Sequence, residues 1–378
     1  MKVTFVNYYY DKDIPIENYL DKYPTIYGWS KALSELGLQV KVYHRFNKNY
    51  FFNQDEVEFF LVKDNLRNDL KWYQSPSVFH KKISETEHDI IHVNSFNYSY
   101  QAYLLKSKLS NSKVVVQHHA ENPRNRIKQY FTRYFSSSLD GFIFSSSEIH
   151  EDWGKEKIIP TGKKFAEIME GSSNFTIMDR NEMRLETGLS GKPVMLWVGR
   201  LNENKDPITV LSGLLKLLND FPEAKLYMIY SEDKLKDQVK SFIEQNLPLG
   251  DSVKLIGFIN HKDVYNYYNS ADYFVIGSHY EGSGYSLVEA MSCGVVPIVT
   301  DIPAFRMITC RGQIGAIWKC GDSESFYINA KEIINKPLEA ESKKTLDLFY
   351  ENLSHQAIAK KAKIFYECLI VNQMDEIS

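Results

Sequence analysis

Cysteine is scarce in this sequence, and the few present are not arranged for chemistry. The four, Cys293, Cys310, Cys320 and Cys368, show no C-x-x-C spacing and no paired framework, so they read as reduced, buried thiols of a cytosolic protein. No segment approaches the ~20 apolar residues of a transmembrane helix. The apolar stretch within Met1–Asn7 is too short for the core of a signal peptide. Charge of one sign is lacking too: 45 Lys and Arg against 48 Asp and Glu leave a net charge of −3, which gives no global pull toward nucleic acid. Internal repeats and low-complexity tracts are absent. What remains is a cytoplasmic globular chain, and 378 residues suit two domains at roughly 150 residues each. Aromatic residues are plentiful, with 25 Tyr and 22 Phe, a tilt toward a sheet-rich core.

Short β-branched runs alternate with helical patterns along both halves. Lys2–Asn7, Leu38–Tyr43, Asp89–Val93, Lys113–Gln117 and Gly141–Phe144 lie in the first half. Pro193–Val198, Ala224–Ile229, Val253–Ile256, Tyr273–Ile276, Val295–Val299 and Gly315–Trp318 lie in the second. Continuous apolar runs of this length predict parallel strands buried on both faces. Asp206 is placed to cap a helix that starts at Pro207, with Ile208, Val210, Leu211, Leu214, Leu215 and Leu218 on one face. The fold class is therefore α/β, doubly wound, twice over. The boundary is expected in the loop-rich stretch Gly171–Lys192, and His355–Val371 reads as an amphipathic helix. Ligands of such sheets bind at the carboxyl ends of the strands, so the loops after strands are where chemistry is expected.

Two of those loops stand out. After Pro193–Val198 comes Gly199-Arg200-Leu201-Asn202-Glu203-Asn204-Lys205-Asp206-Pro207. A glycine for close backbone approach and two cations before a helix N-terminus suit a diphosphate; a solvated loop with two ordinary cations is the bland alternative. After Tyr273–Ile276 comes Glu281-Gly282-Ser283-Gly284-Tyr285-Ser286-Leu287-Val288-Glu289, a Gly-rich turn opening a helix and bracketed by carboxylates. If both glutamates were helical, eight residues would separate them by about 12 Å along one face. That spacing suits two contacts to a long ligand, not a shared-proton pair. The bland alternative leaves Glu289 on the surface and Glu281 as a cap.

These blocks, with Ala290-Met291-Ser292-Cys293-Gly294-Val295-Val296-Pro297 after them, resemble glycosyltransferase family 4 of the GT-B fold: two Rossmann-like domains facing a central cleft. The resemblance covers nearly the whole chain and is strongest from about Pro193 to Gly321. It implies domains at 1–172 on the acceptor side and 173–354 on the donor side, with 355–378 packing back toward the first. It implies that Arg200 and Lys205 bind the donor diphosphate beside Gly199, so no metal and no cofactor are needed. Glu289 would hold the ribose, and Gly257 would lie against the base. Glu281 with Gly282, Ser283 and Gly284 would contact the donor sugar, next to Tyr285 and Ser286. In the first domain the family places a histidine near the reacting centre, after the strand Lys113–Gln117. Neighbours on an extended segment point opposite ways, so one of His118 and His119 is expected to face the cleft, His119 by preference.

Departures accompany the match. Ser283 and Tyr285 stand where the family often has Phe and Leu, which bears on sugar preference. Pro24-Thr25-Ile26-Tyr27-Gly28 has one glycine where the family has a Gly-Gly loop, and Glu170-Gly171-Ser172 replaces an Asn-Gly turn. Asp11-Lys12-Asp13 has the form of a D-x-D metal motif but reads as a solvated loop. Asn122–Leu139 carries Ile127, Tyr130, Phe131, Tyr134 and Phe135 at helical spacing, with Arg124, Arg126, Lys128 and Arg133 and no acid between Glu121 and Asp140. It reads either as a helix on its own sheet with a solvated basic face or as a contact to an anionic membrane or lipid-linked acceptor. The expected function is a retaining, metal-independent hexosyltransferase that uses a nucleotide sugar in cell-surface polysaccharide or glycoconjugate synthesis, with a peripheral place at the inner membrane face among the expectations. Its partners are the donor and a saccharide or lipid-linked acceptor, with no nucleic acid. A catalytically silent nucleotide-sugar-binding homologue, or a sugar phosphorylase or epimerase on the same fold, is the alternative.

Overall fold

The β-branched runs of the first half become one parallel sheet. In a computed structural model describing residues 1–11, 14–66, 68–121 and 125–371, its strands are β1 (Lys2–Asp11), β2 (Gln39–Phe46), β3 (Tyr50–Gln54), β4 (Val57–Lys63), β5 (Ile90–Asn94), β6 (Lys113–Gln117), β7 (Gly141–Phe144) and β8 (Lys164–Glu167). Their order is β3-β4-β2-β1-β5-β6-β7-β8, parallel except where β3 meets β4. Strand order reverses between β1 and β5, the switch point at which open α/β sheets take ligands. The helices that matter below are α1 (Pro24–Glu35), α2 (Ser99–Lys108) and α3 (Arg126–Ser136). The second sheet holds β9 (Val194–Gly199), β10 (Lys225–Tyr230), β11 (Val253–Gly257), β12 (Tyr273–Ile276), β13 (Val296–Thr300) and β14 (Ala316–Trp318). Its order is β11-β10-β9-β12-β13-β14, with the switch point between β9 and β12. Helices α4 (Pro207–Leu217), α5 (His261–Ser270) and α6 (Tyr285–Ser292) accompany it, and α7 (His355–Val371) ends the described chain.

By contact the chain divides into unit 1, Met1–Gly171 with the segment from His355, and unit 2, Ser172–Ser354. Every strand expected from the sequence is present. Three more, β3, β4 and β8, were not expected. The β3–β4 hairpin turns on Asp55 and Glu56, both at positive φ (50° and 59°), the geometry of a two-residue turn that usually takes Asn or Gly. α7 belongs to unit 1 because its apolar face fills spaces there. A side chain on Gly28 of α1 would meet Nε2 of His355 at 2.1 Å, and one on Gly141 would meet the Phe365 ring at 2.8 Å. The Tyr366 hydroxyl also hydrogen-bonds Nδ1 of buried His92 at 2.7 Å.

A fully buried ion pair shapes the loop after β4. Arg45 donates from Nε to Asp64 at 2.7 Å, and both side chains are buried. Its remaining donors reach the carbonyls of Tyr8 at 2.9 Å, Leu66, and Asn68 at 3.2 Å. A charge out of water is tolerable only when its donors are satisfied in this way, and the result pins Asp64, Leu66 and Asn68 beside the carboxyl half of β1.

Candidate active site

In unit 2 the two motif loops follow β9 and β12, the strands on either side of the switch point. They are stitched together through their backbones. The N–H of His279 donates to the carbonyl of Asn204 at 2.8 Å. The Asn204 side chain donates to the Tyr280 carbonyl at 2.9 Å and accepts from the Tyr280 N–H at 3.1 Å. A side chain on Gly277 would lie 2.9 Å from the Asp206 carbonyl, so only glycine permits this approach. Asp206 caps α4 as expected, accepting from the Thr209 N–H at 3.2 Å, and does so from the left-handed region at φ 40°. Its carboxylate also meets Nε2 of His279 at 3.0 Å.

This stitching brings Lys205 and Glu281 into direct contact, Nζ to Oε1, with side chains 15% and 14% exposed. Arg200, by contrast, is 64% exposed and lies 3.5 Å from the Glu232 carboxylate. Glu281 is not helical: α6 starts at Tyr285, after Gly284 in the left-handed conformation (φ 59°, ψ 43°). The 12 Å spacing expected for two helical glutamates therefore does not apply, because Glu281 sits in the turn and only Glu289 rides the helix. Gly282 and Ser283 are buried, and Tyr285 is exposed. A side chain on Gly284 would meet the Phe305 ring at 2.9 Å. Ser286 lies half-buried in the first turn of α6, the end of a helix that carries its positive dipole.

Glu289 is held from α5. Its Oε1 meets Nε2 of His261 at 2.6 Å, and its Oε2 accepts from the Tyr268 hydroxyl at 3.0 Å. The hydrogen bond to Glu289 raises the His261 pKa above its ordinary value. Phe175 lies against the His261 ring, centroids 5.3 Å apart. Gly257 ends β11 at φ 89°, with open space where a side chain would be. Sequence reasoning missed His261 and Tyr268; nothing in their spacing from Glu289 marks them.

In unit 1, β6 ends in two histidines that the fold treats differently. His118 is buried against Phe144 (centroids 5.2 Å, stacked) and Trp153 (5.0 Å, edge-on), with Nε2 3.0 Å from the Glu121 carbonyl. Burial lowers its pKa. His119 is 23% exposed, and its Nδ1 lies 2.7 Å from the Glu170 carboxylate. Burial, the largest influence, disfavours the imidazolium there, but the carboxylates of Glu170 and Glu121 together outweigh it and raise the pKa. His118 is thus a core residue and His119 the accessible member of the pair. Glu170, noted in the sequence only as a departure from an Asn-Gly turn, is its partner; its carbonyl also accepts from the Trp29 indole at 2.7 Å.

Three other expectations are changed or left. The segment Pro24–Gly28 is the start of α1, not a loop, and Gly28 is a packing glycine under His355. Asp11 is the buried last residue of β1, bonded to Lys22 and to the Tyr23 hydroxyl at 2.8 Å, so it is not solvated; Lys12 and Asp13 lie outside the described residues. In the Asn122–Leu139 segment, residues 122–124 also lie outside them. The apolar stripe of α3 is split: Phe135 packs on Tyr100 and Tyr103 of α2, whereas Ile127, Tyr130 and Tyr134 are exposed. No helix among the described residues is long and apolar enough to cross a membrane.

The family model described as Glycosyl transferases group 1 matches residues 179–352, and the model described as Glycosyltransferase Family 4 matches residues 25–163. A mannosylfructose-phosphate synthase of Agrobacterium fabrum is 30% identical over 162 residues, covering 40% of this chain and 34% of that protein. A GDP-mannose:cellobiosyl-diphosphopolyprenol alpha-mannosyltransferase of Xanthomonas campestris is 27% identical over 235 residues, 60% of this chain and 59% of that protein. The chain thus spans about one third to three fifths of the length of these curated relatives. A solved glycosyltransferase from Rickettsia africae superposes with a TM-score of 0.73 at 16% identity, covering 98% of both chains, a likeness of fold. With its two Rossmann-like units of GT-B type and both models matching in sequence, the chain belongs to glycosyltransferase family 4.

Proposed function

We propose that this chain is a retaining glycosyltransferase that moves a sugar from a nucleoside-diphosphate sugar to a saccharide or lipid-linked acceptor, without a metal, in cell-surface polysaccharide or glycoconjugate synthesis. The observation that carries the reading is the stitched pair of loops at the β9/β12 switch point, which joins Lys205 to Glu281 beside the turn that opens α6. In this reading unit 2 takes the donor. The diphosphate lies by Gly199, Arg200 and Lys205, and the first-turn N–H groups of α6 add a second anion-favouring element. Glu289 takes the ribose hydroxyls, which exchange with His261 for its carboxylate, and Gly257 leaves room for the base. Glu281, Gly282, Ser283 and Gly284 address the sugar, beside Tyr285. The contact of His119 with the donor sugar is part of the same proposal.

Departure of the nucleoside diphosphate builds charge on the leaving phosphate, which Lys205, held in place by Glu281, and Arg200, moving in from solvent, would stabilise. The leaving phosphate takes the acceptor's proton, so no separate base is assigned. The Xanthomonas relative's name gives a diphosphopolyprenol-linked acceptor, which favours the lipid-linked option. The exposed basic and aromatic face of α3 suits the inner face of an anionic membrane.

A thermal-shift panel of nucleoside diphosphates and nucleotide sugars tests the donor assignment. The right base stabilises the fold by mass action, and a flat panel overturns the reading. Turnover retained in EDTA, with the product's anomeric configuration matching the donor's, tests metal independence and retention.

A further inference from the structure

A cavity of about 600 Å³ lies within unit 1, apart from every residue assigned to the donor. Among the described residues it is walled by Tyr9 near the end of β1, the 69–72 loop, the stretch after β5 and one side of α3. It therefore adjoins the carboxyl ends of β1 and β5, the switch point of that sheet and the place where such sheets take ligands.

The wall is mostly apolar, with Leu70, Trp72, Phe96, Ile127, Phe131 and Phe135 in it. Several of its polar atoms are already engaged. The Ser99 hydroxyl donates to the Phe96 carbonyl at 2.6 Å, and the Asn125 side chain accepts from the Ile127 N–H at 2.8 Å. The Asn97 side chain accepts from the Lys128 ammonium at 2.8 Å. A sugar ring would bring hydroxyls that find few partners here, and unsatisfied buried hydroxyls are costly. A hydrocarbon chain would not. The wall is also prebuilt: Trp72 stacks on Phe131 (centroids 4.7 Å, 29°), and buried Arg45 pins the preceding loop.

Helix α3 adds charge of one sign beside the cavity. α3 contains no acid, and Arg126 and Lys128 are exposed, with no carboxylate pairing to either among the described residues; Asp69 is the one acid in the lining. At roughly 30 Å³ per water-sized group, the cavity takes on the order of 20 heavy atoms. That is about three or four isoprene units of one chain, and too little for the two chains of a glycerolipid.

We propose that this cavity holds the phosphate-proximal hydrocarbon of a single-chain isoprenyl phosphate, with Lys128 and Arg126 meeting the phosphate. As a binding site it stands alone; that its ligand anchors the sugar acceptor rests on the transferase reading. Of the five tryptophans, Trp72 is 51% exposed and the others are buried, which makes it an internal reporter.

The test titrates the full chain with farnesyl diphosphate, pyrophosphate, dihexanoyl phosphatidic acid and cellobiose while following tryptophan emission, with Trp72→Phe to assign the signal. The expected result is a blue shift from Trp72 and binding of farnesyl diphosphate at least ten-fold tighter than pyrophosphate. Ile127→Glu, a change at a 69% exposed position, should weaken it ten-fold or more with the ligand-free Tm unchanged. Lys128→Gln should narrow the preference for farnesyl diphosphate over farnesol. Equal binding of pyrophosphate, tighter binding of the phosphatidic acid or of cellobiose, or an unaffected Ile127→Glu variant overturns the proposal. Farnesyl diphosphate binding alongside a flat nucleotide panel would sink the transferase reading and leave the cavity assignment standing. The reverse pattern would sink the cavity assignment alone.

Discussion

Arg200 and Lys205 stand five residues apart, yet unit 2 holds them very differently. Lys205 is fixed by Glu281, while Arg200 is mostly in solvent with a loose approach to Glu232. A free guanidinium can move onto a ligand at little cost to the fold. Arg200→Ala should therefore keep the wild-type Tm and lose on the order of 10²–10³-fold in turnover; near-normal turnover with a nucleotide sugar would remove it from the mechanism. His261 carries a second residue-level expectation. Its hydrogen bond to Glu289 raises its pKa above 6.5, so the ion pair is complete below that value and is lost as pH rises through the raised one. The NMR titration midpoint of His261 should lie above 6.5 and fall back toward it in Glu289→Gln. The motif residues were legible because glycines, cations and carboxylates of that kind cluster in loops after strands. Their partners were not: His261 lies 28 residues before Glu289, Glu170 lies 51 residues after His119, and only tertiary packing joins them.

The strands read from the sequence are those whose apolar runs are buried on both faces, since burial is what writes such runs. Two of the three that escaped lack this signature; β4 (Val57–Lys63) carries the run Phe59-Phe60-Leu61-Val62, largely buried, and was passed over all the same. β8 (Lys164–Glu167) is a mostly exposed edge strand, and β3 (Tyr50–Gln54) is an edge strand with no fully buried residue. The β3–β4 turn carries no Asn-Gly or Asp-Gly to announce it. Asp55 and Glu56 adopt positive φ at a cost of roughly 1–2 kcal/mol each for a residue with a Cβ. Asp55 recovers part of that through Tyr27, Gln54 and Lys31. Glu56→Gly should accordingly raise the stability of unit 1 by about 1 kcal/mol, read as a shift of the denaturant midpoint at constant m. At α6 the error was of another kind. Gly284 in the left-handed region starts the helix three residues after Glu281, and a residue-type pattern cannot show where a helix begins within a Gly-rich turn. Gly284→Ala should destabilise unit 2 by about 1–3 kcal/mol, since it adds both an unfavourable φ and a contact with Phe305.

Across the whole molecule the ten histidines are unevenly shared. Unit 2 has His261 and His279, whose side chains are largely in solvent. Unit 1 buries His44, His80 and His92, where desolvation holds the pKa near 3, and His355, held near 4. These groups are protonated in the unfolded chain below about 6.5 and resist protonation when folded. Stability is therefore intact above that pH and drains as pH falls toward the folded values. At about 1.4 kcal/mol per pH unit per histidine, three of them remove roughly 4 kcal/mol per unit, and the raised pKa of His119 offsets only a fraction. On acidification from pH 7 to 4.5, unit 1 should unfold first, with calorimetry resolving two transitions and proteolysis leaving a resistant 172–354 fragment. The packing of α7 has a consequence for the nascent chain. Gly28, Gly141 and His92 emerge from the ribosome early, but the side chains that complete their surroundings, His355, Phe365 and Tyr366, follow only after all of unit 2. The first sheet to be synthesised is thus the last to be finished, and unit 2 can close as a continuous segment while unit 1 still waits for its final helix.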